Sequence, residues 1–93
     1  MKVNLSDRAI ADLDEIYKFI SADSEYFAKR TVDQLLDITD ELGRFPYSGR
    51  ISKEYKDSNI RERFFRSYRI GYKIKPYSVE IATIRHASRL PEI

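Results

Sequence analysis

Apolar and polar residues alternate most strictly over 68–75, where Tyr68, Ile70, Tyr72 and Ile74 interleave with Arg69, Gly71, Lys73 and Lys75. A period of two places each set on its own face, so the segment predicts a strand with one buried face. Pro76-Tyr77-Ser78 marks a turn, and SVEIATIRH follows as a second run rich in β-branched residues. Upstream, Ile60 opens IRERFF, a third strand. If Ile60 and Phe64 face the core, then Arg61, Arg63 and Phe65 point outward with Arg69; a slip of one residue reverses that choice. In the last strand Val79 and Ile81 are expected inward, leaving Glu80, Ala82, Ile84 and His86 outside. Ile84 suits an outer face poorly, so either a bulge intervenes or something covers that face.

The preceding half follows the helical period. Lys2–Leu5 is a short strand with Val3 and Leu5 on one side. Ser6 is an N-cap, Asp7 favours the positive end of the helix dipole, and Leu5 with Ile10 occupy the positions of a hydrophobic staple. Ile10, Leu13, Ile16, Tyr17 and Ile20 form the predicted apolar stripe; Asp12, Asp14, Glu15 and Lys18 form the wet side. Residues 21–24, SADS, break the pattern and offer new caps. A second helix is predicted over 25–42, with Ala28, Val32, Leu35, Ile38 and Leu42 inward. Gly43 is expected to end it in the left-handed conformation, and Pro46 to prevent its resumption. The short break makes the helices an antiparallel hairpin, whose stripe must lie on the sheet. FPYSGR, residues 45–50, is a turn-rich connector, and 53–59 a polar loop.

Length sharpens this to a single domain over 1–93 with one modest core. No apolar run approaches a membrane span, and the first residues, MKVNLSDRAI, lack a signal-peptide apolar region, so a cytoplasmic protein is expected. With no cysteine and one histidine, neither thiolate chemistry nor a zinc site is expected, and no metal or cofactor. The net charge of +2 conceals an asymmetry. Residues 1–46 hold six Lys/Arg against ten Asp/Glu, whereas 47–93 hold eleven against five. A basic sheet beside acidic helices implies an anionic partner, nucleic acid or an acidic protein segment, unless the charges are merely solvated. Phe64, Phe65, Tyr68 and Tyr72 interleave with arginines, as in single-strand nucleic-acid platforms. Parity assigns Tyr68 and Tyr72 to the core and leaves Phe65 as the exposed contact.

In order along the chain, AIADLDEIYKFI, LLDITDELGRFPYSGR, IRERFFRSYRIGYKI and VEIATIRHASRLPE resemble the RelE/ParE superfamily of bacterial toxins from type II toxin–antitoxin pairs. The resemblance implies an α+β fold, an N-terminal strand and a two-helix hairpin packed on a twisted, mainly antiparallel sheet. It also implies a cognate antitoxin whose C-terminal segment wraps the toxin in a hetero-oligomer. RelE-type members cleave messenger RNA on the ribosome; ParE-type members bind DNA gyrase without a known catalytic group.

RNA cleavage through the 2′-hydroxyl needs a general base, cations for the phosphate and an acid for the leaving oxygen. By resemblance, Arg69 matches an arginine that contacts the scissile phosphate and His86 a histidine active in some nuclease members. Arg61, Arg63, Arg85 and Arg89 add positive charge, and Glu80 serves as a base only if it shares their face. Arginine is a poor proton shuttle, and histidine, the residue type suited to proton transfer near neutral pH, occurs only at position 86. The chain departs from the RelE pattern in having no aromatic residue after Tyr77 and no lysine pair before Arg69. Its hairpin, FPYSGR connector and H-x-x-R ending resemble ParE-type members more closely. The expected function is growth arrest through gyrase inhibition, with ribosome-dependent mRNA cleavage as the alternative. Arg61, Arg63, Phe65, Arg85, Arg89, Leu90 and Ile93 are the expected target contacts.

Overall fold

The computed structural model describes residues 1–87. In chain order the elements are β1 (Lys2–Leu5), α1 (Asp7–Ser21), α2 (Glu25–Arg44), a 3-10 turn (Pro46–Ser48), β2 (Arg50–Ile51), β3 (Ile60–Phe65), β4 (Tyr68–Ile74) and β5 (Ser78–His86). The strands form one sheet in the order β1-β5-β4-β3-β2. β1 runs parallel to β5, and the other neighbours are antiparallel. The core lies between the helices and one sheet face. There Leu13, Leu35, Ile38 and Leu42 meet Ile70, Tyr72, Ile74, Val79, Ile81 and Ile84.

The helix starts follow from local chemistry. The Ser6 hydroxyl accepts the Ala9 N–H at 3.0 Å and donates to the Ala82 carbonyl at 2.8 Å, so one side chain caps α1 and ties it to β5. Ser24 caps α2 by accepting the Phe27 N–H at 3.2 Å. The stripe of α1 is rotated from its predicted position. Ala9 and Leu13 are buried and Ile16 packs against the core, but Ile10 and Tyr17 are exposed. Asp12 leaves the predicted wet side and accepts the backbone N–H of Ile84 at 2.9 Å. That N–H lies on the edge of β5 beyond its pairing with β1, so Asp12 satisfies a donor that the sheet leaves over.

Gly43 does not end α2. It is buried inside the helix, which continues to Arg44, and no glycine among the described residues has positive φ. Space explains it instead. A Cβ there would lie 2.6 Å from Val3 Cγ2 and 2.7 Å from the Met1 carbonyl oxygen, so the missing side chain lets β1 approach α2.

Two further departures set the faces of the sheet. β5 carries a bulge: Tyr72 pairs with Ile81, but the preceding Gly71 pairs with Thr83, leaving Ala82 without an opposite number. Beyond the bulge the parity reverses. Ile84 opposes Ile70 in the core and His86 opposes Tyr68 on the same helix-covered side. The connector is likewise anchored from the sheet. The Tyr72 hydroxyl donates to the Pro46 carbonyl at 2.7 Å and accepts the Gly49 N–H at 3.0 Å. Gly49 has extended backbone, and a Cβ on it would meet the Tyr72 hydroxyl at 2.4 Å. So positioned, the chain enters β2, an edge strand without an advance signal in the sequence.

Gly43→Ala should lower stability in urea melts. The helix-propensity gain of about 1 kcal/mol is smaller than the roughly 1–3 kcal/mol required to displace β1. Tyr72→Phe strands two backbone groups and should lose about 1–3 kcal/mol. Burial pushes the Tyr72 phenol above the ordinary tyrosine value. The folded state therefore holds this proton more tightly, and its stabilising effect is complete below about pH 10 and lost as pH rises through the folded value. Melts at rising alkaline pH should show the parent converging on Tyr72→Phe.

Candidate functional site

The two-residue connection between β3 and β4 opposes Phe65 to Tyr68, Phe64 to Arg69, Arg63 to Ile70 and Arg61 to Tyr72. Opposed residues in an antiparallel ladder share a face. Arg61, Arg63 and Phe65 therefore lie on the core side of the sheet, contrary to the expectation drawn from Ile60 and Phe64. Phe65 packs against the core, while Phe64 shares the opposite, open face with Arg69 and is 37% exposed. Arg63 sits at the margin, 3.5 Å from Glu41 of α2. Arg61 donates to the carbonyls of Ser58 at 2.9 Å and Gly49 at 3.0 Å and lies over the Tyr47 ring.

On the open face, β2, β3 and β4 bring Arg50, Glu62, Phe64 and Arg69 together. Arg50 opposes Glu62, and Phe64 follows Glu62 by one alternation. Glu62 is only 1% exposed, with Arg69 NH1 3.2 Å from one oxygen and Arg50 Nε 3.6 Å from the other. The 3.2 Å contact is not aligned as an N–H···O bond, so the attraction there is mainly Coulombic. A carboxylate this far from water requires cations on it. The two guanidiniums also flank the Phe64 ring, at 4.6 Å and 5.2 Å from its centre. Arg69 NH2 donates to the Ala87 carbonyl at 2.9 Å, and Ala87 N–H in turn donates to the Ser67 carbonyl in the turn before β4. Arg69 thereby joins β3 to the chain leaving β5.

His86 lies on the other face. Its ring meets Tyr68 edge-on at 6.5 Å, in a groove of about 400 Å³ that Ile16 and Phe19 of α1 also line. Arg85 opposes Arg69 directly, a pairing of like charges, but turns toward Asp12 at 3.9 Å while Arg69 turns toward Glu62. Glu80 opposes Lys73 and pairs with Lys75 at 3.3 Å. Lys73 is four residues from Arg69, about 13 Å along a strand. Arg69 and His86 are thus not brought together, and Glu80 is remote from both. Arg89, Leu90 and Ile93 lie outside the described residues. From the sequence, Glu62 is no more than one of two exposed ion-pair partners for Arg69, the other being Glu80; Phe64 is a core residue and Arg50 a part of the connector, whereas the structure gathers all three with Arg69 around a buried carboxylate. The available signal was the lone acidic residue within IRERFF, whose alternation with arginine on the neighbouring positions resembled a solvated face. No group of three or more metal-binding side chains occurs among the described residues, and no helix there is long and apolar enough to cross a membrane.

The fold is thus a helical hairpin on one face of a five-stranded mixed sheet. The model of the ParE toxin of type II toxin–antitoxin system, parDE, matches residues 3–91, and the chain belongs to that family. It is thus the toxin component of a toxin–antitoxin pair. A chain of the chromosomal ParDE toxin–antitoxin system from P. aeruginosa has the same fold, with a TM-score of 0.77 over 92% of this chain and 95% of that one at 18% identity. No curated protein sequence matches the chain.

Glu62→Ala would leave two guanidiniums facing each other without their shared anion. A loss of about 3 kcal/mol is expected, because removing one partner of a buried pair exposes the full desolvation penalty of the other. Denaturant unfolding of the parent and variant measures it. The loss falls on Arg69, whose side chain is 13% exposed, because Arg50 at 52% can return to water; raising salt should therefore recover only a part of it.

Proposed function

We propose that this chain arrests growth by binding DNA gyrase as a stoichiometric, non-catalytic inhibitor. A cognate antitoxin neutralises it in a cytoplasmic toxin–antitoxin hetero-oligomer, and residues 1–93 act as a single domain. The family supports a ParE-type target. The observation that carries the choice over RNA cleavage is the separation of Arg69 from His86 on opposite faces of the sheet. A nuclease needs cation, base and acid converging on one phosphate. Here the guanidinium of Arg69 is engaged by Glu62 and the Ala87 carbonyl, and its side chain is only 13% exposed. Such an arrangement favours rigidity over contact with a scissile bond. Phe19, Tyr26 and Phe27 are exposed around the helix-hairpin turn, and apolar surface of this kind supports a partner segment laid on the helical side.

The test is titration of the purified chain into gyrase with relaxed plasmid, beside translating ribosomes with mRNA mapped for cuts. Supercoiling should fall or cleaved DNA accumulate, mRNA should stay intact, and His86→Ala should inhibit gyrase as the parent does. Unchanged supercoiling at stoichiometric excess, together with A-site cuts that His86→Ala abolishes, would replace this reading with the ribonuclease.

A further inference from the structure

The β3–β4 connection consists of Arg66 and Ser67 alone. Two-residue hairpin links match the strand twist by taking positive φ at the first central residue or at both, where glycine and asparagine are favoured. Here Arg66 takes that conformation, at φ 52°, and it is the only non-glycine residue with positive φ among those described. A long L side chain holds such a conformation at a cost in stability. The ladder, core and backbone contacts that hold the turn do not use its guanidinium. Phe65 packs on the core, and the Ser67 carbonyl takes the Ala87 N–H.

The other arginines of the basic half among the described residues are engaged internally. Arg50 and Arg69 share Glu62, Arg63 meets Glu41, Arg61 is bound to carbonyls, and Arg85 turns to Asp12. Arg66 is exposed, and its guanidinium lies over the Phe65 ring, 5.1 Å from the centre. The strained residue is therefore also the arginine of this half, among the described residues, whose cation is not drawn to an acidic group or a carbonyl of the chain.

We infer that Arg66 is a binding residue: its guanidinium, set on Phe65 at the tip of the β3–β4 hairpin, takes a carboxylate on the toxin's protein target. A carboxylate fits better than a nucleic-acid backbone. Phosphate tracking requires a row of available cations, and here Glu62, Glu41 and Asp12 neutralise the neighbours. A single planar guanidinium backed by a ring suits a discrete, bidentate anion. The assignment deepens the gyrase reading and rests on the target being a protein.

The experiment compares Arg66→Asn, Arg66→Gly and Arg66→Lys with the parent in thermal melting, growth arrest, and binding to gyrase and to plasmid DNA at two salt concentrations. The Asn and Gly variants should melt higher than the parent yet bind gyrase at least about tenfold more weakly, the loss expected for one charged hydrogen-bonding group. The Lys variant should melt like the parent and bind between the two. Asn or Gly variants that arrest growth and bind like the parent overturn the inference, as does a Gly variant that melts no higher. Parallel loss of plasmid binding, with steep salt dependence in the parent, makes the ligand a phosphate and also overturns it. If the parent does not bind gyrase, the gyrase reading fails separately, and growth arrest decides on Arg66. Undiminished arrest by the Asn variant overturns its role; lost arrest with raised melting supports a carboxylate on another protein.

Discussion

Between Ile81 and Thr83, β5 advances two residues while β4 advances one. The side chains of a strand alternate strictly, so one added residue exchanges the faces of all that follow. Before this point Val79 and Ile81 enter the core, and after it Ile84 does. Without the bulge, the core would lose Ile84 to the open face and Arg85 would take its place on the core side. The hydrophobic requirement of the core thereby decides a matter of chemistry: it carries His86 away from Arg69. Ser6 reinforces the irregularity, because its hydroxyl donates to the carbonyl of the bulged Ala82. The cap of α1 and the bulge of β5 share one hydrogen-bonding group, so helix placement and strand register are mutually dependent.

The open face is organised by a different constraint. A buried carboxylate must be compensated, and Glu62 draws Arg50 and Arg69 inward from the edge and the middle of the sheet. Their aliphatic and guanidinium surfaces then cover Phe64. Much of the apparent positive charge of residues 47–93 is spent in this way within the molecule. A formal excess of arginine overstates the field that a partner meets, because acidic residues of β3, α1 and α2 already face it.

Local chemistry was legible in the sequence, and distant chemistry was not. Ser6 and Ser24 announce helix starts because a capping serine acts within three residues. The alternation in β4 announces its buried face, and the inner residues Ala28, Leu35, Ile38 and Leu42 of α2 follow from its period. Gly43 looked like a terminator because its true reason, the approach of Val3, lies across the fold. The parity of β3 was misjudged because its most buried member, Glu62, is charged, and only the arginines of two other strands explain it. Ile84 was legible as an inconsistency, and the bulge resolves it. The predicted strands leave Arg66-Ser67 between them as a turn, but the pair lacks the glycine or asparagine that marks positive φ, so its strain was not visible.

The parallel pairing of β1 with β5 joins Lys2 to Ser78 and Leu5 to Ile81. These partners sit near opposite ends of the described chain, yet β5 lies between β1 and β4 and contributes to the core along most of its length. On the ribosome, β1 and both helices emerge long before the strand on which they pack. Until β5 follows, the helical hairpin carries an apolar stripe with no surface to cover it, and loop closure across the whole chain comes last. The nascent polypeptide consequently acquires its shape late and nearly all at once. A half-made copy is open to chaperones and proteases, and it has no assembled surface with which to do harm.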